Sequence, residues 1–213
     1  MIKRNYQLEM EREIAKIEKN GVRPKLLLHS CCAPCSSAVL ERLTPWFDIT
    51  VFYYNTNIAP EGEFLHRSEE QKRLIAELPH SGKIDFLCGN YDSGRFLNIS
   101  RGLESAPEGG ERCMRCFLLR LGETARNARR LNFDYFTTTL SISPLKDAQR
   151  LNQIGETLSQ KFGVKYLFSD FKKKNGYLRS CELSQEYHLY RQDYCGCIFS
   201  KQARENVKCH PEQ

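Results

Sequence analysis

The sequence predicts one α/β domain: a single Rossmann-like (HUP-like), mostly parallel sheet flanked by helices, with a cysteine-rich cap at the C-terminal end. Short apolar segments rich in β-branched and aromatic residues alternate with longer helical patterns along the chain. This alternation implies βαβ units with right-handed crossovers, and therefore a parallel sheet. The 213 residues are enough for one complete core, and no linker or repeat divides them.

The N-terminal half contains three predicted strands separated by helices or loops. A leading helix is expected within residues 1–22, because apolar side chains recur there at nearly helical spacing, and we expect it to pack loosely on the body. Runs such as KLLLHS and DITVFYY are typical of buried strands. The predicted strands lie at residues 25–30, 48–54 and 84–87, the predicted helices at 36–43 and 63–78, and a predicted loop at 101–110.

The C-terminal half continues this alternation. A long helix is predicted at residues 112–131, with apolar side chains such as Phe117 and Leu121 directed inward and several arginines outward. A basic loop follows the last strand, and residues 205–213 form a predicted polar tail. The other predicted elements are strands at residues 134–140 and 165–168 and helices at residues 147–162 and 183–191.

Composition and the N-terminal segment predict a cytoplasmic protein without a membrane partner. Hydrophobic residues make up 40% and charged residues 27%, and no apolar stretch is long enough to cross a bilayer. The N-terminal segment is charged throughout and lacks the apolar core of a secretory signal. The net charge of +6 favours an anionic partner such as RNA.

Ten cysteines are unusual in a reducing compartment, where clustered cysteines indicate metal binding or redox chemistry. Cys31, Cys32 and Cys35 follow His29 at the point where the first strand is expected to end and a helix to begin. Open α/β sheets bind ligands at this position, and helix N-terminal amides stabilise thiolates. The alternative, a set of buried apolar cysteines, suits one such residue better than three.

Two more cysteine pairs extend this candidate site. Cys113 and Cys116 form a CxxC at the start of the long helix, which brings both sulfurs to one side. With the first group they can build a four-thiolate site, which zinc and an iron–sulfur cluster both accept. Cys195 and Cys197 flank Gly196, which permits a strained and easily reduced disulfide ring. Two additional metal ligands are the alternative for this pair.

The other three cysteines are assigned no function. Cys88 ends an apolar strand and is expected in the core, Cys181 has no partner near it in sequence, and Cys209 lies in the polar tail.

Basic residues form two groups that can contact phosphates, although solvated helix faces are the alternative for the arginines of the long helix. In the segment FKKKNGY, aromatic residues interleave with lysines, a pattern that suits unpaired bases. The candidate RNA-binding residues are Arg126, Arg129, Arg130, Lys172, Lys173, Lys174 and Arg179.

Six motifs occur in the order found in one known family. They are HxCCAPC at residues 29–35, NxNIxPxxE at 55–63, RCxxCFxxRL at 112–121, TTTLxxSPxKD at 137–147, FKKxxGYxRS at 171–180 and LYRQDYCGC at 189–197. On these motifs the chain resembles the cobalamin-independent epoxyqueuosine reductases, the QueH family. The resemblance extends over roughly residues 26–204.

The resemblance implies an oxidoreductase that converts epoxyqueuosine to queuosine at the wobble position of tRNAs with GUN anticodons. This is the last step of queuosine biosynthesis, and its electrons come from a donor that the sequence does not identify. The resemblance also implies a [4Fe-4S] cluster, a redox-active pair and an additional iron. The corresponding residues are Cys31, Cys32, Cys113 and Cys116 for the cluster, Cys195 and Cys197 for the pair, and Cys35 as a candidate ligand of the iron.

Removal of an epoxide oxygen to leave an alkene takes two electrons and two protons and releases water. An iron with an open coordination site can act as a Lewis acid on that oxygen, and a proton donor must lie within hydrogen-bond reach of it. The candidate donors, by their proximity to the cysteines in sequence, are His29, Tyr194 and Asp193.

Two other functions compete with this interpretation. ATP-dependent tRNA thiolases that hold iron–sulfur clusters carry a glycine-rich SGGxDS loop after the first strand. Here the segment HSCCAP has no glycine to let the backbone approach a phosphate. A zinc-stabilised RNA-binding module accounts for four thiolates and a basic surface, but it leaves the CGC pair without a role.

Overall fold

The computed structural model describes residues 4–209, and the side chains of residues 4–206. It contains a five-stranded sheet in the order β3-β2-β1-β4-β5 with every neighbouring pair parallel, which confirms the predicted α/β class. The strands are β1 (Lys25–His29), β2 (Asp48–Tyr53), β3 (Ile84–Cys88), β4 (Tyr135–Thr138) and β5 (Lys165–Tyr166). The helices are α1 (Tyr6–Lys19), α2 (Ala33–Leu43), α3 (Glu61–Glu77), α4 (Ser93–Ser100), α5 (Glu111–Arg130), α6 (Ala148–Phe162), α7 (Gly176–Glu186) and α8 (Ile198–Cys209), with a 3-10 helix at Thr139–Ile142.

Strand β1 lies at the centre of the sheet, where the direction of chain progression reverses. It pairs with β2 on one side and with β4 on the other. Ligands bind to open α/β sheets at this kind of reversal, beyond the carboxyl ends of the strands. The carboxyl ends of β1 and β4 are His29 and Thr138, so a ligand site is expected at the residues that follow them.

The sheet is covered on both faces, which explains the continuous apolar sequence of β1. Leu26 and Leu28 pack into the core on one face with residues of α1, α2, α3 and α7, whereas Leu27 packs on the other face with residues of α5 and α6. Helix α1 is packed firmly, contrary to expectation, since Met10 and Ile17 are buried in the first core. Within the described range, none of the helices combines the length and apolar character needed to cross a membrane.

Helix α7 begins seven residues earlier than the helix predicted at residues 183–191. The sequence Asn-Gly suggests a loop, but here it marks the helix start. Asn175 adopts a left-handed conformation (φ 61°), and a Cβ on Gly176 would collide with the carbonyl oxygen of Phe171. The short helix α4 and the terminal helix α8 were not predicted either.

Strand β4 is shorter than predicted. It ends at Thr138, whose Oγ1 accepts a hydrogen bond from the amide of Leu140 at 3.1 Å and thereby starts the 3-10 helix. Strand β5 is likewise limited to two residues.

The predicted cysteine-rich cap needs correction, because the densest cysteine group lies at residues 31–35 and not at the C-terminal end. The C-terminal segment is irregular at residues 187–197 and then forms α8, which includes the first residues of the predicted polar tail. Residues 210–213 of that tail lie outside the described residues. Cys88 was expected in the core but is exposed, because β3 is an edge strand.

Two helical glycines, Gly155 and Gly122, allow a test of how α6 packs on β5. A Cβ on Gly155 of α6 would overlap the ring of Tyr166, whereas a Cβ on Gly122 of α5 would have no neighbour closer than Leu158 Cδ2 at 3.9 Å. We expect Gly155→Ala to lower the free energy of unfolding by about 1–3 kcal/mol. Gly122→Ala should be neutral or stabilising by up to about 1 kcal/mol. Urea denaturation measures both, and equal stability of the two variants would contradict the packing of α6 on β5.

Candidate thiolate metal centre

Three helices begin next to cysteines near the carboxyl edge of the sheet. Cys32 is the N-cap residue of α2, Cys113 lies in the first turn of α5, and Cys197 immediately precedes α8. Helix N-terminal amides and the helix dipole favour negative charge. The pKa of each of these thiols is nevertheless raised, for Cys32 by its hydrogen bond with Cys31 and for Cys113 and Cys197 by burial. Every cysteine whose side chain is described is a free thiol.

Cys31, Cys32 and Cys35 form a triad that can hold a metal ion. Their sulfurs all lie within 4.8 Å of one another, and those of Cys31 and Cys32 are 3.7 Å apart. The adjacent pair can converge because Cys32 is extended (φ −172°, ψ 161°) and α2 begins at the next residue, with Pro34 in its first turn. The structure therefore groups Cys35 with Cys31 and Cys32.

Electrostatics single out Cys31 within the triad. Hydrogen bonds from the thiols of Cys32 and Cys35 hold the pKa of Cys31 well below its usual range, and the charges of Arg120 and Lys146 act in the same direction. Donating these hydrogen bonds raises the pKa of Cys32 and of Cys35. The triad without metal therefore carries one thiolate readily, and a bound cation is what would favour deprotonation of the others.

The second group, Cys113, Cys116, Cys195 and Cys197, lines one small and mainly apolar cavity. Backbone amides donate to the sulfurs of Cys113 and Cys197 at 3.3 Å and 3.4 Å. Burial raises the pKa of Cys116 to about 12 and that of Cys197 to about 11, so both free thiols keep their protons at neutral pH. The cavity thus offers sulfur donors, amide hydrogen bonds to them and little room for water.

The two cysteine groups adjoin, because Cys195 also lines a larger cleft that contains the triad. This cleft has a volume of about 350 Å³, which is within the usual range for a small-molecule site. Acidic, basic and aromatic side chains surround the sulfurs. Among them are Glu108, Lys146, Tyr177, Arg191, Asp193, Tyr194 and Arg204.

The CGC segment is held by residues of the motif NxNIxPxxE. Gly196 has φ 112°, a conformation that favours glycine, and its carbonyl oxygen accepts from the amide of Ala59 at 3.0 Å. The hydroxyl of Tyr194 donates to the carbonyl of Ala59 at 3.4 Å. The guanidinium of Arg67 lies 5.2 Å from the Tyr194 ring centroid and pairs with Glu63 at 2.7 Å. Two motifs that are distant in sequence therefore meet beside the cysteines.

His29, one of the three candidate proton donors, is completely buried and is not among the residues that line the cleft. Its Nδ1 lies 2.8 Å from Thr138 Oγ1, and Arg120 Nε donates to its Nε2 at 3.3 Å. A guanidinium only donates, so Nε2 must accept and carries no proton. The carbonyl oxygen of Tyr54, 3.3 Å from Nε2, therefore receives no hydrogen bond from the ring. Burial, assisted by the charge of Arg120, lowers the pKa of His29 to about 3, so the ring is neutral.

Tyr194 and Asp193, the other two candidate donors, do line the cleft. Burial, followed by the charge of Glu63, raises the pKa of Tyr194, so its hydroxyl keeps its proton at neutral pH. Of the three candidates, Tyr194 and Asp193 thus lie at the cleft and His29 does not.

None of the seven basic residues predicted to bind RNA lines the cleft. Several are engaged in ion pairs: Arg126 with Glu123, Lys172 with Asp170, Lys174 with Glu11, and Arg179 with Glu41. The arginines of α5 lie toward its far end, and Arg130 is about 20 Å along the helix from Cys116 at 1.5 Å per residue.

Four cations line the cleft, and none of them is among the seven candidate RNA-binding residues: Arg120, Lys146, Arg191 and Arg204. Lys146 lies within the motif TTTLxxSPxKD, and Arg191 lies within LYRQDYCGC, so motif membership was the available signal for both. Arg204 belongs to α8, a helix that was not predicted, and nothing in the local sequence marks it.

Comparison with known proteins identifies the same family by a family model and by individual relatives. The family model described as Epoxyqueuosine reductase QueH matches residues 26–203. A Streptococcus pyogenes serotype M1 protein of that name is 45% identical over 199 residues, which cover 92% of this chain and 78% of the relative. The protein of that name from Staphylococcus epidermidis is 40% identical over 200 residues, covering 92% and 84%. The one from Thermotoga maritima is 34% identical over 181 residues, covering 82% and 89%.

Proposed function

The chain belongs to the epoxyqueuosine reductase QueH family, and we propose that it reduces epoxyqueuosine to queuosine at the tRNA wobble position with its cysteine centre. In this reaction the epoxide oxygen leaves as water, a carbon–carbon double bond forms, and two electrons and two protons are consumed. The observation that carries the proposal is that two cysteine groups adjoin one cleft of about 350 Å³. Reduced thiols and a tRNA substrate suit the cytoplasm.

We further propose that the site holds a [4Fe-4S] cluster whose ligands are Cys31, Cys32, Cys113 and Cys116. The donor set supports this fit, because soft thiolates favour iron–sulfur clusters and a backbone amide donates to the sulfur of Cys113 at 3.3 Å. Cys35 belongs to the same triad as Cys31 and is therefore available to an additional iron. When bound, such a cluster supplies electrons one at a time.

Proton transfer, two-electron reduction and charge stabilisation are assigned to side chains that line the two cavities. Tyr194 and Asp193 are the proposed proton donors, and Cys195 and Cys197 are the proposed redox-active pair. Oxidation of a dithiol to a disulfide releases the two electrons and two protons that the epoxide requires, and Tyr194 and Asp193 would transfer those protons to the departing oxygen. The positive charge of Lys146 faces the same cleft and can stabilise negative charge that develops on the departing oxygen.

Conversion of a defined tRNA tests the proposed function. Protein purified without oxygen is incubated with a chemical reductant and tRNA that carries epoxyqueuosine, and the digested nucleosides are identified by mass spectrometry. We expect queuosine to appear only when both protein and reductant are present. If iron-loaded protein leaves epoxyqueuosine intact with dithionite, with a reduced ferredoxin and with a reduced flavodoxin, the proposed function is wrong.

We propose that the exposed cleft cations Arg191 and Arg204 contact the phosphates next to the modified nucleoside. Their position is the reason, since a nucleotide whose base enters this cleft brings its backbone to the rim. Tyr177 also lines the cleft and is 40% exposed, so its ring is available to stack on a neighbouring base. The basic residues predicted from sequence are proposed as more distant and weaker contacts.

Binding of queuosine-containing tRNA, measured as a function of salt, compares the two groups of cations. Arg191→Ala and Arg204→Ala should each weaken binding roughly threefold to tenfold and reduce the salt slope by about one. Arg126→Ala is the matched control, because this arginine is exposed and paired with Glu123 at 2.9 Å. A larger loss for the control than for the cleft variants would place the RNA on the surface of α5 instead.

A further inference from the structure

Two arginines, Arg67 and Arg120, are among the largest fully buried side chains of the protein, and their charges are balanced differently. Arg67 pairs with the carboxylate of Glu63 at 2.7 Å. Arg120 donates from Nη2 to Asn55 Oδ1 at 2.5 Å and from Nε to His29 Nε2 at 3.3 Å, and both partners are neutral. No ion pair joins Arg120 to a carboxylate among the side chains that the structure describes.

A buried and permanently charged guanidinium requires an anion nearby. Arginine does not lose its proton in proteins, and an uncompensated charge in the interior is strongly unfavourable. Arg120 lines the same cleft as Cys31 and Cys195, and Cys116 lies one turn earlier on the same face of α5. Sulfurs compensate this charge only as thiolates, which is the form in which they bind a metal.

The guanidinium is also fixed in orientation. Asn55, which accepts from it, donates its own amide to the carbonyl of Ser30 at 2.9 Å. His29 is anchored at Nδ1 by Thr138. Both anchors are buried, so Arg120 cannot turn away when the charge of the sulfurs changes.

We propose that Arg120 is the counter-charge of the cysteine centre, a positioning residue whose fixed positive charge favours the reduced, more negative state of the bound cluster. One electron from an external donor adds a negative charge to the centre, and a fixed cation beside the sulfurs lowers the free energy of that state. Arg120 thereby raises the reduction potential of the centre. The inference rests on the proposed function only in requiring a redox-active metal centre.

Redox titrations of three variants, followed by electron paramagnetic resonance and visible absorbance, test this role. In Arg120→Gln, which removes the charge, the equilibrium constant for one-electron reduction should fall at least tenfold, equivalent to about 59 mV. Arg120→Lys keeps the charge and should stay within about threefold of the wild type. Arg115→Gln is the matched control on the same helix, because this arginine is exposed and paired with Glu111, and it should leave the potential unchanged.

The measured potentials and iron contents distinguish a counter-charge from a purely structural role of Arg120. An unchanged potential in iron-loaded Arg120→Gln overturns the proposal, and so does a shift in Arg120→Lys as large as that in Arg120→Gln. If Arg120→Gln fails to retain iron, Arg120→Lys decides: retention of iron with a potential near the wild-type value supports the proposal, and loss of iron overturns it. A potential shift in a protein that never converts epoxyqueuosine would leave this inference intact and sink the proposed function.

Discussion

Replacement of Cys116 by serine is expected to remove the proposed metal centre and to reduce turnover to below about one thousandth of the wild-type value. A serine hydroxyl is a hard donor that stays protonated at neutral pH, so it does not replace a thiolate on iron. Cys116 is buried in the cavity that Cys113 also lines, and no other donor in the CxxC can take its place. Loss of several kcal/mol of metal-dependent stabilisation corresponds to roughly a thousandfold in rate.

Iron and acid-labile sulfide per chain, together with the rate of queuosine formation, measure this effect. Cys88→Ser is the matched control, because Cys88 is exposed at the end of the edge strand β3, and it should keep both iron and activity. Circular dichroism checks that each variant is folded. Wild-type iron content and turnover in Cys116→Ser would contradict the assignment of the CxxC as a ligand pair.

Replacement of Cys197 by serine is expected to abolish turnover while leaving iron and sulfide in place. Cys197 is buried next to Cys195 across Gly196, and both are free thiols in the structure. As a dithiol, the pair can deliver two electrons and two protons to the epoxide and close to a disulfide. A single thiol cannot, so the variant should lose at least about a thousandfold in rate, a barrier increase of roughly 4 kcal/mol.

Single-turnover reactions after removal of the reductant separate this role from metal ligation. The wild type should convert substrate and lose two titratable thiols, whereas Cys197→Ser should do neither despite its full iron content. Cys181→Ser, on α7 and outside both cysteine groups, serves as the control and should behave as the wild type. Loss of iron in Cys197→Ser would make the residue a ligand, and undiminished turnover would remove it from the chemistry altogether.

The parallel sheet could be predicted from sequence because its signals are local and mutually consistent. The run KLLLHS is apolar on both faces, and it is the central strand β1 with cores on both sides. Helix α7 could not be placed in the same way, because its start depends on a collision between a Cβ at Gly176 and the carbonyl of Phe171. That contact exists only in the folded loop.

The candidate site was only partly predictable for a similar reason. Cysteine spacing identified each motif, but the grouping of Cys35 with Cys31 depends on how Cys32 and α2 direct the three sulfurs. The role inferred for Arg120 depends on burial and on neutral neighbours, which the sequence does not display. The charge run likewise gave no sign that Lys172 and Lys174 are paired with acidic side chains of the protein itself.

Reoxidation of the reduced protein by its substrate tests most directly the central claim that the cysteine centre is the reductase site. The anaerobic protein is reduced, freed of excess reductant, and mixed with tRNA carrying epoxyqueuosine while its visible absorbance is recorded. We predict that the protein loses two reducing equivalents for each queuosine formed, counted as lost titratable thiols together with returning thiolate-to-iron absorbance, and that the same tRNA already carrying queuosine leaves the protein reduced. A colourless protein that contains zinc, or queuosine formation without loss of reducing equivalents from either the thiols or the iron, would contradict the claim.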